Sequence, residues 1–216
     1  LKRVAADLRD DVSGRLPKAP ERRNGRRVAC VGAGPASLTV ANDLAPLGYE
    51  VVILEQFRQA GGLMRTNIPA FRLPAAVLDE EIGYVVGMGV DLRLGAPVAS
   101  MRALLAEGFD AVFVGTGAPR GKDLRLPGRD ADRIHVGIQW LESVAFGHVD
   151  KIGERVLIIG VGNTAMDCCR SALRLGAREV RVIARKPRQF FKASAWELED
   201  AEEQNVEIVV NHAPKA

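Results

Sequence analysis

Residues Val28–Ser37 read V-A-C-V-G-A-G-P-A-S, a short apolar run that breaks on two closely spaced glycines and opens into a helix. The pattern is G-x-G-x-x-S. Gly32 permits a tight strand-to-helix turn, and Gly34 lets the backbone come close to a diphosphate. A helix beginning at Pro35 and Ala36 then faces that anion with N–H groups that have no partner inside the helix. Ser37 stands where a third Gly or Ala normally lets helix lie close on strand, a departure small enough to tolerate. Taken alone the motif is weak, because any tight turn of this kind favours glycine. Its followers strengthen it. Glu55, with Gln56 after it, ends the next apolar run about 20 residues on, where a carboxylate accepts hydrogen bonds from a ribose diol. Gly61-Gly62-Leu63 forms a second flexible turn, and Gly115-Thr116-Gly117 follows the apolar run DAVFV.

The same arrangement recurs at Leu157–Asp167, L-I-I-G-V-G-N-T-A-M-D. Here Gly160, Gly162 and Ala165 give G-x-G-x-x-A, so Val161, Gly162, Asn163 and Thr164 are the expected diphosphate contacts. The following run, EVRVIARK, ends in Arg185-Lys186 where the first unit ends in Glu55. A carboxylate at that point repels a ribose 2′-phosphate, whereas a guanidinium grips it through paired charge-assisted hydrogen bonds. Lys192 supplies a third cation. The second turn therefore reads as a site for a 2′-phosphorylated nucleotide, NADP(H), and the first as a site for a dinucleotide without that phosphate.

Between these landmarks apolar strands and helices alternate. Strands are expected at Val28–Val31, Val51–Leu54, Val90–Leu94 and Ala111–Val114, and helices at Pro35 to about Ala45, Ala75–Gly87 and Met101–Ala106. A Pro/Gly-rich connection, GAPRGKDLRLPGRD, separates them from a second series. That series runs strand Val156–Ile159, helix from Asn163 to about Leu175, strand Val180–Ala184, helix Trp196–Gln204 and strand Val206–Val210. Alternation of this kind defines an α/β fold with largely parallel sheets. A helical spacing of Leu1, Val4, Ala5 and Leu8 predicts one more helix at the start of the chain.

Composition is that of an ordinary globular protein, 47% apolar and 26% charged, with a net charge of +3. That charge is too small to indicate a nucleic-acid partner. Basic residues cluster in two places, Arg15 to Arg27 and Arg178 to Lys192. No apolar run reaches the roughly 20 residues of a membrane helix, and the charged start LKRVAADLRDD is unlike a secretory signal, so a cytoplasmic location is expected. The three cysteines, Cys30, Cys168 and Cys169, offer neither a CxxC pair nor metal-ligand spacing and read as reduced packing residues. No metal site is expected. His135, His148 and His212 are scattered and are not expected to be catalytic.

The ordered set GAGPAS, E-x(5)-GGL, IPAFRLP (Ile68 to Pro74), VGTGA and GVGNTAMDC resembles the small, NADPH-oxidising subunit of glutamate synthase. It is also similar to the matching domains of dihydropyrimidine dehydrogenase and of NAD(P)H:ferredoxin oxidoreductases. The resemblance implies two Rossmann-like dinucleotide-binding domains, with the NADP(H) domain inserted into an FAD domain. It places FAD on Gly32, Gly34, Pro35, Ala36, Ser37, Glu55 and Gln56. It brings Gly61, Gly62, Leu63 and Arg72 to the flavin side, Val98 to the adenine, and Thr116 and Gly117 to the crossing point. NADPH falls to Gly160–Thr164, with Arg185, Lys186 and Lys192 around its 2′-phosphate. Asn67 replaces the Gly that often precedes the IP pair. The implied domains are 1–26 as helix and linker after an iron–sulfur region, 27–120 as the N-terminal part of the FAD domain, 121–153 as interdomain connection, and 154–216 as a partial NADP(H) domain. Both domains are then expected to be incomplete, as in an internal fragment of a larger subunit.

The implied activity is hydride transfer from NADPH to FAD, with electrons passed to iron–sulfur clusters that these residues do not bind, or to a catalytic partner subunit or ferredoxin-like acceptor. Such chemistry needs no acid, base or nucleophile from the protein, and no catalytic residue is expected. Two other readings are a thioredoxin-reductase-like flavoprotein, which would need a CxxC pair, and a non-catalytic scaffold that retains the fold.

Overall fold

The structure is a computed structural model that describes all residues except 1–3, 5–7, 9, 11, 125 and 216. The helix expected over Leu1–Asp10 lies largely outside the described residues. The chain forms two compact units, Leu1–Gly62 with Ala76–Gly117, and Leu63–Ala75 with Ala118–Ala216.

The first unit is built on β1 (Arg27–Val31), β2 (Glu50–Leu54), β3 (Asp91–Arg93) and β4 (Ala111–Val114). Their order is β3-β2-β1-β4, and every pairing is parallel. Val28 lies opposite Val51 on one side and Ala111 on the other, which centres the first Gly-rich turn on the strand with neighbours at both edges. Parallel neighbours need a crossover, and helix α1 (Pro35–Leu44) supplies it between β1 and β2. Ala29, Cys30, Val51, Val52 and Ile53 are wholly buried, as expected of near-continuous apolar strands in a parallel sheet.

The excursion Leu63–Ala75 contains a short helix, α2 (Leu63–Thr66). Helix α3 (Ala75–Gly87) then leads toward β3, and α4 (Met101–Leu105) toward β4. Ser100 caps α4, its Oγ accepting from Ala103 N at 3.2 Å.

The second unit has α5 (Gly137–Ala145), β5 (Arg155–Ile159), α6 (Asn163–Arg174), β6 (Glu179–Ile183), α7 (Ala195–Glu203) and β7 (Glu207–Val209). Its sheet order is β5-β6-β7, again parallel. Helix α5 lies within the stretch that sequence reads as a connection. It is no bare linker, because Trp140 and Leu141 are buried in the same core as α6, Val180, Val182 and Leu198. Gly137 permits the approach of α5 to α6, since a β-carbon there would stand 3.1 Å from Cys168 Sγ. Along the apolar run VLII, Leu157 and Ile159 are 57% and 42% exposed. In the described residues only the other face of β5 is covered, so its burial alternates.

Candidate functional site

In the first unit, the tight turn after β1 draws four separate segments together. Gly32 has φ +92°, and a β-carbon on it would meet Gly115 O at 2.7 Å. Its N–H donates to Leu54 O at 2.8 Å. Gly62 has φ +52°, and a β-carbon there would stand 2.7 Å from Gly34 Cα. Gly61 N donates to Ala33 O at 2.9 Å. Two glycine turns thus lie backbone on backbone, which only residues without side chains allow.

Helix α1 begins at Gly34, which has no side chain to cap it, so its first N–H groups are left for a ligand. Pro35 and Ala36 are exposed at this opening, while Ser37 is fully buried. Glu55 is 4% exposed and fastened to the turn, Oε2 accepting from Ala33 N at 2.7 Å and Oε1 from Phe57 N at 2.9 Å. Each oxygen keeps a second lone pair for a ribose hydroxyl. Gln56 beside it is exposed.

Next to the end of β2 an open groove of about 340 Å³ is lined by Leu54, Ala96, Pro97, Val98 and Ala103, among others. Ala96 N donates to Glu55 O at 2.7 Å, which ties the groove wall to the carboxylate. Val98 therefore lines a groove beside Glu55 whose walls mix apolar residues with Arg93, Ser100 and Glu107. Thr116 and Gly117 are exposed at the end of β4. Leu63 and Arg72, expected on the flavin side, lie in the second unit.

In the second unit, Gly160 has φ +118° and donates its N–H to Ile183 O at 3.0 Å. Gly162 opens α6 without a side-chain cap, and Asn163 and Thr164 are exposed at the helix start. The loop after β6 folds back on this turn. Lys192 N and Ala193 N donate to Val161 O at 3.2 and 3.1 Å, and Ser194 N donates to Asn163 Oδ1 at 3.0 Å. The backbone of Lys192 is so held beside the Gly-rich turn, at Val161. Arg185 and Lys192 are exposed and form no ion pair among the described residues, which leaves both charges available to an anion. Lys186 is exposed, with its Nζ 5.4 Å from the Phe190 ring centroid.

Sequence reasoning missed a buried charge cluster in this unit. Arg72 Nη1 donates to both carboxylate oxygens of Asp167, at 2.7 Å each, and Nη2 is ion-paired with Glu197 Oε1. The guanidinium also lies 5.3 Å from the Trp196 ring centroid. Glu197 is fully buried, and beyond that ion pair neither of its oxygens has a well-aligned donor. Burial raises the Asp167 and Glu197 carboxyls above their ordinary values, with Arg72 opposing the rise in both. The preceding residue, Phe71, is stacked by Arg170 at 4.8 Å and Arg174 at 3.9 Å. Asn67 has its own task, its Nδ2 donating to Ile138 O at 2.6 Å. The IPAFRLP segment is thereby embedded against α5, α6 and α7. Its signal in the sequence was Asp167 itself, an acid buried on α6 among Ala165, Met166, Cys168 and Cys169.

The cysteines are buried packing residues. Burial pushes the Cys30 thiol up to about 11 and those of Cys168 and Cys169 up to about 12, far from the thiolate needed for disulfide exchange. Among the described residues there is no group of His, Cys, Asp and Glu fit for a metal, and no helix long and apolar enough to cross a membrane.

Two parallel α/β units, each opening a helix from a Gly-rich turn at a strand end, define a dinucleotide-binding oxidoreductase fold. The chain belongs to the pyridine nucleotide-disulphide oxidoreductase family, whose model matches residues 26–216 and whose members bind FAD and NADP(H). It is 36% identical over 215 residues to the NADPH-Fe(3+) oxidoreductase subunit beta of Geobacter sulfurreducens, covering 95% of this chain and 32% of that protein. To the glutamate synthase [NADPH] small chain of Escherichia coli it is 32% identical over 227 residues, covering 99% of this chain and 48% of that one. The fold is also that of Mycobacterium tuberculosis FprA in complex with NADPH, at a TM-score of 0.67 and 22% identity over 82% of this chain and 47% of that chain. The chain spans about a third to a half of the length of these curated relatives.

Proposed function

We propose that this chain is the NADPH-oxidising module of a larger flavoprotein, with FAD on the first unit, NADP(H) on the second, and electrons passed on to iron–sulfur clusters or a partner subunit. The observation that carries this reading is the contrast between two equivalent strand ends. After β2, Glu55 is buried and bonded to the turn itself, which supports its reading as the fixed acceptor for a ribose diol. After β6, Arg185 is exposed and lacks an ion partner among the described residues. The first arrangement suits a nucleotide without a 2′-phosphate and rejects one that has it. The second suits the phosphate.

The residues fit both groups. Gly32 and Gly62, whose β-carbons would strike the backbone of Gly115 and Gly34, let the turn close tightly beside the uncapped start of α1, with Gly61 bonded to Ala33 O. Val98 and the groove beside Glu55 suit an adenine. Gly160, Val161, Gly162, Asn163 and Thr164 form the second cradle, with Arg185, Lys186 and Lys192 as cations for the 2′-phosphate. When bound, the flavin accepts a hydride from the nicotinamide and can release electrons one at a time. The protein's own share is orientation and charge. Glu55 fixes one nucleotide, the basic loop fixes the other, and no side chain needs to move a proton.

Full-length protein with bound FAD, mixed with NADPH in a stopped-flow instrument, should bleach the flavin absorbance, and NADH should act far more weakly. Flavin unchanged by either nicotinamide would leave the fold without this function. Equal rates with both would remove the role assigned to Arg185.

A further inference from the structure

The loop after β6 presents a large aromatic ring to solvent. Phe190 is 55% exposed, whereas its neighbour Phe191 turns inward and packs on the core of the second unit. The core therefore has its aromatic residue, and Phe190 is held outside it. The holding is specific. Phe190 N donates to Pro187 O at 3.0 Å and Phe191 N to Arg188 O at 3.0 Å, closing a 3-10 turn over Arg188–Phe190. Arg188 Nη2 pairs with Glu202 Oε2 at 2.7 Å, anchoring the turn to α7. Just beyond, Lys192 and Ala193 are bonded through their backbone to Val161 in the Gly-rich turn. Lys186 Nζ lies over the ring, 5.4 Å from its centroid.

We infer that Phe190 is the platform on which the adenine of the nicotinamide nucleotide stacks, so that one loop reads the base with Phe190 and the 2′-phosphate with Arg185, Lys186 and Lys192. The inference rests on the NADP(H) reading of the second turn. Its chemical reason lies in the ligand, because the base and the 2′-phosphate are carried by adjacent ribose carbons. Cations that take the phosphate and a surface that takes the base must then be near neighbours. In this loop they are, with Lys186 against Phe190 itself. A base gains by stacking on an exposed ring through dispersion and desolvation, and a cation beside the stack adds to the attraction.

The test measures binding by calorimetry in full-length protein, with two probes that lack nicotinamide. Adenosine 2′,5′-bisphosphate carries the phosphate, and ADP-ribose does not. Phe190→Ala should weaken both by a similar factor, roughly tenfold, and Phe190→Trp should restore both. The thermal midpoint should not change, since the ring is exposed. Arg185→Ala, in contrast, should weaken the bisphosphate alone. Wild-type affinity for both probes in Phe190→Ala would overturn the stacking role. So would a loss confined to the bisphosphate, because the ring would then serve only to place Lys186. If the wild-type protein bound neither probe, the NADP(H) reading would fall first and the platform with it.

Discussion

The Ser37 hydroxyl lies over Gly115, its Oγ 2.1 Å from where a β-carbon on that glycine would stand. The third position of the first Gly-rich motif and the end of β4 are therefore matched, a larger residue on one side and none on the other. Ser37 Oγ is fully buried and has no hydrogen-bond partner among the described residues. Gly115→Ala should cost about 1–3 kcal/mol by overpacking. Ser37→Ala should be neutral or stabilising, since it removes an unpaired buried hydroxyl. The double variant should recover the part of the loss due to the Ser37 hydroxyl, leaving the new methyl tight against the Phe113 ring at 3.0 Å, and urea unfolding of all four proteins gives the coupling energy directly.

Glu55→Gln keeps size and shape but turns one acceptor into a donor. Both carboxylate oxygens accept backbone N–H bonds, so an amide NH₂ would face a donor at Ala33 or at Phe57. The turn should loosen, and FAD affinity should fall about tenfold or more. Titration of apoprotein with FAD, followed by flavin fluorescence, checks this.

Arg72→Met should be severe. It leaves Asp167 and Glu197 buried without their cation, a loss of about 3–5 kcal/mol. Arg72→Lys should recover only part of it, because one ammonium cannot hold both oxygens of Asp167 and reach Glu197 with a planar fork. Chemical denaturation of the second unit's signal separates the two.

The same cluster predicts a dependence on pH. Burial raises the Glu197 carboxyl above its ordinary 4.5, so the folded chain holds that proton more tightly than the unfolded chain. Its contribution to stability is complete below that ordinary value and is lost as pH rises through the raised one. Asp167 is shifted in the same direction. Glu197→Gln mimics the protonated acid, so its advantage in thermal midpoint over wild type should be small near pH 4.5 and grow toward neutral pH. An advantage that shrank instead would reverse the sign of the shift.

Arg185→Ala should weaken NADPH binding selectively over NADH. Each charge-assisted bond to the 2′-phosphate contributes about 1.5–3 kcal/mol, which is tenfold or more in affinity. Equal weakening for the two cofactors would mean that the residue is not on the phosphate.

Most of the fold was legible because its signals are local. The helix Ala75–Gly87 and the strand Ala111–Val114 begin and end where periodicity and flanking glycines put them, and the remaining strands shift by a residue or two. Helix α5 was not legible. Its sequence, GIQWLESVA, is short and follows a run of turn residues, and only Trp140 and Leu141 meeting α6 show why it forms. The glycine cradle and Glu55 were readable from spacing, since each glycine answers a backbone requirement. The Arg72 cluster was not, because its three members lie far apart in sequence and a charged residue ordinarily reads as solvated. Asn67 likewise read as a loop substitution, whereas its amide accepts from Thr66 Oγ1 and donates to Ile138 O far along the chain.

The excursion Leu63–Ala75 makes the two units unequal in the order of their making. The chain leaves the first unit at Gly62 and rejoins it at Ala76, having given its intervening residues to the second. On a ribosome those residues emerge long before α6 and α7, so Arg72 and Phe71 must wait, solvated, for partners still unsynthesised. The first unit can close its sheet meanwhile, whereas the second cannot finish its core from its own contiguous sequence. A polypeptide starting at Ala118 would fold around two buried acids without the guanidinium that bridges them. Shuffling the second unit into another protein therefore means transplanting two pieces of chain.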